Sequence, residues 1–459
     1  MYEKYLSAKK RYNYYGYAAP GANCGDHFPD KVYDKATDTR TLDAYVDYKN
    51  VGFNTLFTGT TATYFGEEWE TSMTKRVLDT AYEAGLEKVI ISVEKIYWLS
   101  REKDGIIGPG KRFANENELD GFLADLLKDC FKHPAFYGLN LCDEPFSYMF
   151  KSFGQLYRSL KRIKPDIFIQ CNLLPLDTLV WMDERYPQGG TLFERRRKYL
   201  QSFIDETGAD YVMYDDYPFS YAKENKRLYL YCLQDSACFC RDKGLNFQFV
   251  AQSFSMNIGK NPYYYVPSEQ EMAFQLNLLV SFGVEDLGFF TYMPHGVGGD
   301  EHFPDDSAMV DRQCKKRDFY YVCQKVIREI KPIHAVLSHF KFKRTAYAVK
   351  TFKAYNRWFD FALNEKLDNV VSLETDSENV IVNELYNEDD DRYMYAVINS
   401  TDTREDATKD LIQNTVIGFD GKYKFADIYK NGKWETVGIT DGKLTATLRS
   451  GESEYIIVY

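Results

Sequence analysis

Tryptophan is scarce in this chain, with 5 in 459 residues, and its 9 cysteines are scattered without one CxxC pair. An odd count with no paired spacing argues against a disulfide framework and against thiol-based zinc or redox motifs. Free thiols in a reducing compartment, and so a cytoplasmic location, are expected. No run approaches 18 consecutive apolar residues, and the amino-terminal MYEKYLSAKKRYNYYGY has no apolar h-region. Neither a membrane span nor a signal peptide is therefore expected. A basic surplus is also missing: 57 Lys and Arg against 68 Asp and Glu give a net charge of −11. That balance disfavours a nucleic-acid groove, which needs clustered cations to replace counterions. The 6 His include no HxH or HExxH, so no metal is expected. Carboxylate pairs such as Asp305-Asp306 have no EF-hand spacing and could at most take calcium weakly. GxGxxG, GxxxxGK[ST] and GxSxG are absent too, which leaves no dinucleotide cofactor, phosphate loop or nucleophile elbow to expect.

Aromatic residues are plentiful, at 16% with 38 Tyr and 32 Phe. They fill cores, and Tyr also suits flat hydroxylated ligands, because its ring is apolar and its tip forms hydrogen bonds. Over the first three-quarters of the chain, short apolar runs alternate with amphipathic stretches. The spacing predicts strands at Asn13–Tyr17, Thr55–Thr58, Lys88–Val93, Tyr137–Cys142, Ile167–Asn172, Tyr211–Tyr214, Phe247–Ala251 and Leu287–Thr291. Helical period is clearest at Leu119–Phe131 and Glu269–Phe282. Eight strand–helix units predict an α/β fold, a (β/α)8 barrel over residues 1–340, in preference to a doubly wound open sheet. After His339 the segments VIVNELYN, RYMYAVINS and KLTATLRSGESEYIIVY read as strands, with tight-turn signals at Asn431-Gly432 and Asp441-Gly442. An antiparallel β-sandwich is expected over 345–459. The acidic run Glu388–Asp391 reads as a solvated loop.

In a barrel the chemistry lies at the carboxyl ends of the strands. Those ends offer Tyr17, Glu94, Asp143-Glu144-Pro145, Asn172, Asp215-Asp216-Tyr217, Gln252 and Tyr292. The sharpest item is YGLNLCDEP at 137–145, an apolar strand delivering two adjacent carboxylates before a proline that stops it. A carboxyl group partly desolvated beside another has its pKa raised and can act as a general acid. An equally available reading makes Asp143 the N-cap of a following helix. Asn172 and Gln252 suit sugar hydroxyls, since amides donate and accept. Glu94 reads either as a pocket carboxylate or as a salt-bridge partner of Lys95. Trp98 could stack a ligand or sit half-buried in a loop, and His295 could reach the site or stay solvated.

The DEP segment resembles the strand-4 acid/base motif of clan A glycoside hydrolases. Within that clan the chain is most similar to β-galactosidase-like barrels with a carboxy-terminal β-sandwich, a likeness that YVMYDDYPF and EMAFQLNLLVSFGVEDLGFFTYM share in texture. The resemblance implies that Glu144 is the acid/base, that Asp143 stands where an Asn usually contacts the sugar, and that strand 7 should carry a nucleophilic Glu. This chain has Gln252 there, and an amide cannot attack an anomeric carbon. Three mechanisms follow. In one, Asp215 or Asp216 activates water in an inverting enzyme. In another, a substrate 2-acetamido group is the nucleophile, oriented by Asp143, with Tyr217 or Tyr292 holding its oxygen. In the third, a barrel without the strand-7 carboxylate binds sugar and does not cleave it. The leading expectation is an exo-acting glycosidase on short oligosaccharides; a non-catalytic carbohydrate binder is the alternative, and a different reaction such as a lyase is a third.

Overall fold

The computed structural model describes residues 2–10, 12–21, 38–64, 66–175, 190–221, 225–295, 302–348, 363–376, 379–401 and 412–459. Its first part is mixed α/β. In chain order the elements are β1 (Tyr14–Gly16), α1 (Leu42–Asn50), β2 (Leu56–Tyr64), α2 (Met73–Glu83), β3 (Val89–Val93), α3 (Glu94–Ser100), α4 (Glu116–Leu127) and β4 (Phe136–Asp143). There follow α5 (Phe150–Ile163), β5 (Phe168–Asn172), α6 (Leu192–Thr207), β6 (Tyr211–Asp215), α7 (Asn225–Lys243) and β7 (Asn246–Gln252). A short hairpin, β8 (Met256–Ile258) and β9 (Asn261–Tyr264), precedes α8 (Glu269–Ser281), β10 (Val284–Phe290) and α9 (Asp318–Leu337). All eight predicted strands are present, shifted by a few residues at their ends.

The strands form two four-stranded parallel sheets, ordered β2-β3-β4-β5 and β1-β10-β7-β6. At one seam Leu173 bridges Tyr214 in parallel, and its N–H donates to the Met213 carbonyl at 2.9 Å. At the other, the Asn54 and Thr55 N–H groups both donate to the Tyr14 carbonyl, at 3.0 and 3.2 Å. The strands are apolar along nearly their whole length, as in VIISV of β3, because both faces are covered. Helix starts follow local chemistry: Ser72, Asn115, Thr191 and Ser268 cap α2, α4, α6 and α8, the last two with full capping boxes.

Close packing leaves β4 little room. A Cβ on Gly138 would stand 2.2 Å from the Phe168 carbonyl oxygen of β5. Gly138→Ala is therefore expected to destabilise by roughly 2–4 kcal/mol, read as a lowered denaturation midpoint, since backbone cannot yield as a side chain does. A substitution tolerated at no cost would contradict this β4–β5 packing.

The carboxy-terminal part is antiparallel. Strands β11 (Lys341–Ala348), β12 (Val370–Thr375), β13 (Val380–Asn387), β14 (Arg392–Asn399), β15 (Gln413–Phe419), β16 (Phe425–Lys430), β17 (Lys433–Gly438), β18 (Lys443–Leu448) and β19 (Ser453–Val458) form two sheets. One has six strands, β11-β13-β14-β19-β16-β17, and the other three, β12-β15-β18. Val382, Val397 and Ile456 face the small sheet's Ile417, Ala446 and Leu448 in one core. Their neighbours Ile381, Leu385, Ile398 and Ile457 face the opposite way and join the main core of the α/β part. That double burial accounts for unbroken runs such as SEYIIV. Across the contact, Asn383 donates to Ser281 at 2.8 Å and the Tyr429 hydroxyl donates to the Glu329 carbonyl at 2.9 Å. The acidic run is more than a solvated loop: Asp389 and Asp390 pair with Lys9 and Lys4 and hold the amino-terminal segment. No helix among the described residues is long and apolar enough to cross a membrane.

Candidate active site

Strand β4 ends in an irregularity. Its register with β5 shifts between Asn140 and Cys142, and Glu144 takes a left-handed backbone with φ +46°. A non-glycine residue rarely adopts this conformation, and here the Glu144 N–H donates to the Asn172 carbonyl at 2.8 Å. The bend breaks strand alternation, so Asp143 and Glu144 line the same cavity. The N-cap reading of Asp143 is overturned: the next α-helix, α5, begins at Phe150 with Met149 at its N-cap.

The cavity has a volume of about 310 Å³ and lies at the carboxyl ends of the parallel strands. Its polar lining is Tyr17, Asp143, Glu144, Asn172, Asp215, Asp216, Tyr217 and Tyr264; Phe254, Phe290, Phe303, Met256, Val250 and Pro175 complete the wall. Asn172 sits between two carboxylates, its amide nitrogen donating to Asp143 at 3.1 Å and to Asp215 at 2.9 Å. Its own carbonyl oxygen is buried with no hydrogen-bond partner.

Asp215 is 5% exposed, and burial, reinforced by the nearby Asp143 charge, pushes its carboxyl up to about 7. Hydrogen bonds from Tyr217 and Asn172 pull the other way without offsetting these effects. Asp216 also lines the cavity, and its charge lies close enough to Tyr214 and Tyr229 to help raise their phenols. Tyr17 is keyed in place by Gln170, whose amide donates to its hydroxyl, and burial holds its phenol in the protonated form.

Other predicted site residues lie elsewhere. Gln252 is fully buried, and its side chain is committed to backbone: Oε1 accepts from the Phe219 N–H at 2.8 Å, and Nε2 donates to the carbonyls of Phe219 at 2.9 Å and Tyr265 at 3.2 Å. Gln252 therefore has no group turned to a substrate, contrary to the binding role expected from its place at the strand end. Tyr292 is turned away from the cavity, packed against Tyr48 and Phe53, so it cannot hold a ligand there. Glu94 opens α3 and does not line the cavity, nor does it pair with Lys95. Trp98 is 61% exposed on α3, neither in the pocket nor half-buried. His295 is close to the lining, its ring 6.0 Å from Phe290 and 5.7 Å from Phe303.

The apolar wall, Phe254, Met256, Tyr264, Phe290 and Phe303, was not anticipated from sequence. Met256 and Tyr264 come from the β8–β9 hairpin, which is tied to the strand-6 loop by the Ser220–Tyr264 bridge and a Tyr221 N–H bond to Tyr263. The signal was there in SMNIGKNPYYY, two short extended runs about a Gly259 turn with φ +60°. Gln252 fastens this hairpin to the same loop. Gln252→Glu is accordingly expected to destabilise by roughly 2–4 kcal/mol, because a carboxylate cannot donate to two carbonyls. It should also supply no nucleophile; a stable Glu variant that hydrolyses with retention would refute this. Among the described residues no group of three or more His, Cys, Asp or Glu is placed to hold a metal ion.

No protein-family model matches the sequence, and no curated protein does. The fold, however, is similar to those of solved glycoside hydrolases. An Anoxybacillus α-amylase aligns with a TM-score of 0.50 at 12% identity, over 99% of this chain and 98% of that one. The α-amylase of Geobacillus thermoleovorans, solved with acarbose, gives 0.51 at 13% identity over 99% and 98%. A variant of a GH27 β-L-arabinopyranosidase of Geobacillus stearothermophilus, solved with arabinose, gives 0.50 at 10% over 100% and 98%. At such identities the likeness is one of fold alone: the chain is folded like these glycoside hydrolases.

Proposed function

We propose that the chain is an exo-acting glycoside hydrolase of inverting mechanism, with Glu144 as general acid and Asp215 as the base that activates water. The observation that carries this reading is the convergence of Glu144, Asp143 and Asp215 in one aromatic-walled cavity at the carboxyl ends of the parallel strands. An Asp near 7 is matched to proton abstraction around neutrality, where a base is most effective. Asn172 fixes its orientation, and Tyr217 donates to it. The cavity is small and walled by rings, which suits one terminal sugar of a short oligosaccharide rather than a polymer.

The same reading treats the two parallel sheets as one (β/α)8 barrel over residues 1–340. The hydrogen bonds at both seams support that closure. Residues 345–459 then form a β-sandwich domain packed on the barrel, and the enzyme is cytoplasmic. The substrate-assisted mechanism finds less support, because Tyr217 is engaged with Asp215 and Tyr292 faces away.

The test is a panel of nitrophenyl glycosides assayed with the full chain, followed by proton NMR of the first-formed sugar anomer. Inversion is the expected result. Retention would overturn Asp215 as base, and binding of sugars without turnover would favour the non-catalytic alternative.

A further inference from the structure

The polar groups that line this cavity are mostly hydrogen-bond acceptors, the Glu144 acid proton and the Tyr17 hydroxyl being the donors. Four carboxylates, Asp143, Glu144, Asp215 and Asp216, line a cavity of about 310 Å³. The amide nitrogen of Asn172 is turned onto Asp143 and Asp215, so it offers no donor to a ligand. Tyr217, which could otherwise donate to a ligand, donates to Asp215. The best occupant therefore brings donors of its own and positive charge. Crowded carboxylates repel one another and are poorly solvated, so a cation among them relieves both penalties. The rings add a second attraction: Tyr217, Phe254 and Phe290 pack at 4.9 to 5.9 Å from one another and offer electron-rich surfaces to an ammonium group.

We infer that the sugar taken by this pocket is a basic one, a pyranoside bearing a free amino group. The inference rests on the glycosidase reading and names its substrate class. An ammonium supplies three N–H donors to the acceptor-rich wall. An N-acetylated sugar would bring a carbonyl that needs a donor, and a uronic acid would add another negative charge.

Hydrolysis of nitrophenyl 2-amino-2-deoxyglucoside and 2-amino-2-deoxygalactoside is compared with that of their N-acetyl and parent 2-hydroxy counterparts, using the full chain. The expected result is kcat/KM for an amino sugar roughly tenfold or more above its parent, with the N-acetyl compound lowest. Equal or better turnover of the parent overturns the inference and leaves the glycosidase reading intact. Saturation-transfer NMR with the corresponding methyl glycosides supplies a readout that needs no catalysis. Selective binding of the amino sugar without turnover of any compound upholds the inference and removes the glycosidase reading. If the amino sugar neither binds preferentially nor reacts preferentially, the inference fails.

Discussion

Glu144→Gln is expected to lower kcat on glycosides with poor leaving groups by roughly a thousandfold, within the range that a positioned general acid contributes. Folding should be nearly unaffected, because the amide has the same shape, keeps the φ of +46° and leaves the Glu144 N–H bond to Asn172 in place. The loss should shrink when the leaving group is a dinitrophenolate, which departs with little help from a proton. That dependence is the diagnostic. A structural defect would slow all substrates alike, so a loss that is uniform across leaving groups would remove Glu144 as the acid.

Asp215 governs the second large effect, on pH. Its folded pKa of about 7 lies above the unfolded value of roughly 3.9, because burial, and next the Asp143 charge, disfavour the ionised form. The native state thus binds the proton more tightly than the unfolded chain does. The stabilisation from this group is complete below about pH 4 and is lost as the pH rises through about 7. Asp215→Asn mimics the protonated acid. It should match the wild type in stability at about pH 4 and exceed it by a few kcal/mol at about pH 8, measured by denaturant titration. Activity runs the other way: the base must be ionised, so kcat/KM should fall as the pH drops through about 7, and the Asn variant should be inactive. Asp143→Asn removes a neighbouring negative charge and should move that acid limb to lower pH. An unmoved limb would mean that another group controls it.

The order of elements was readable because burial on both faces leaves a plain mark, an apolar run between turn residues. The DEP segment was readable for a related reason, since a proline directly after two acids has to end a strand. The wall of the cavity was not. Phe254, Tyr264 and Phe303 are separated in sequence, and they meet only because a hairpin folds back over the strand ends. The reversal of Tyr292 has a similar cause: the chain turns after β10, and the side chain is drawn into the packing of Tyr48 and Phe53. Gln252 shows the limit from the other side. Its place at the end of β7 was read correctly, but its partners are backbone groups of loops that no local pattern identifies.

The six-stranded sheet, with one face against the small sheet and the other against the helical layer, bears on how the protein can be taken apart. Cutting near residue 340 would wet Ile330 and Ile333 on one piece and Ile381, Ile398 and Ile457 on the other. Neither fragment would then be a self-sufficient building block. Shorter versions made for crystallography, or chimeras joined at that point, would need a replacement partner for the exposed apolar face, or they would aggregate.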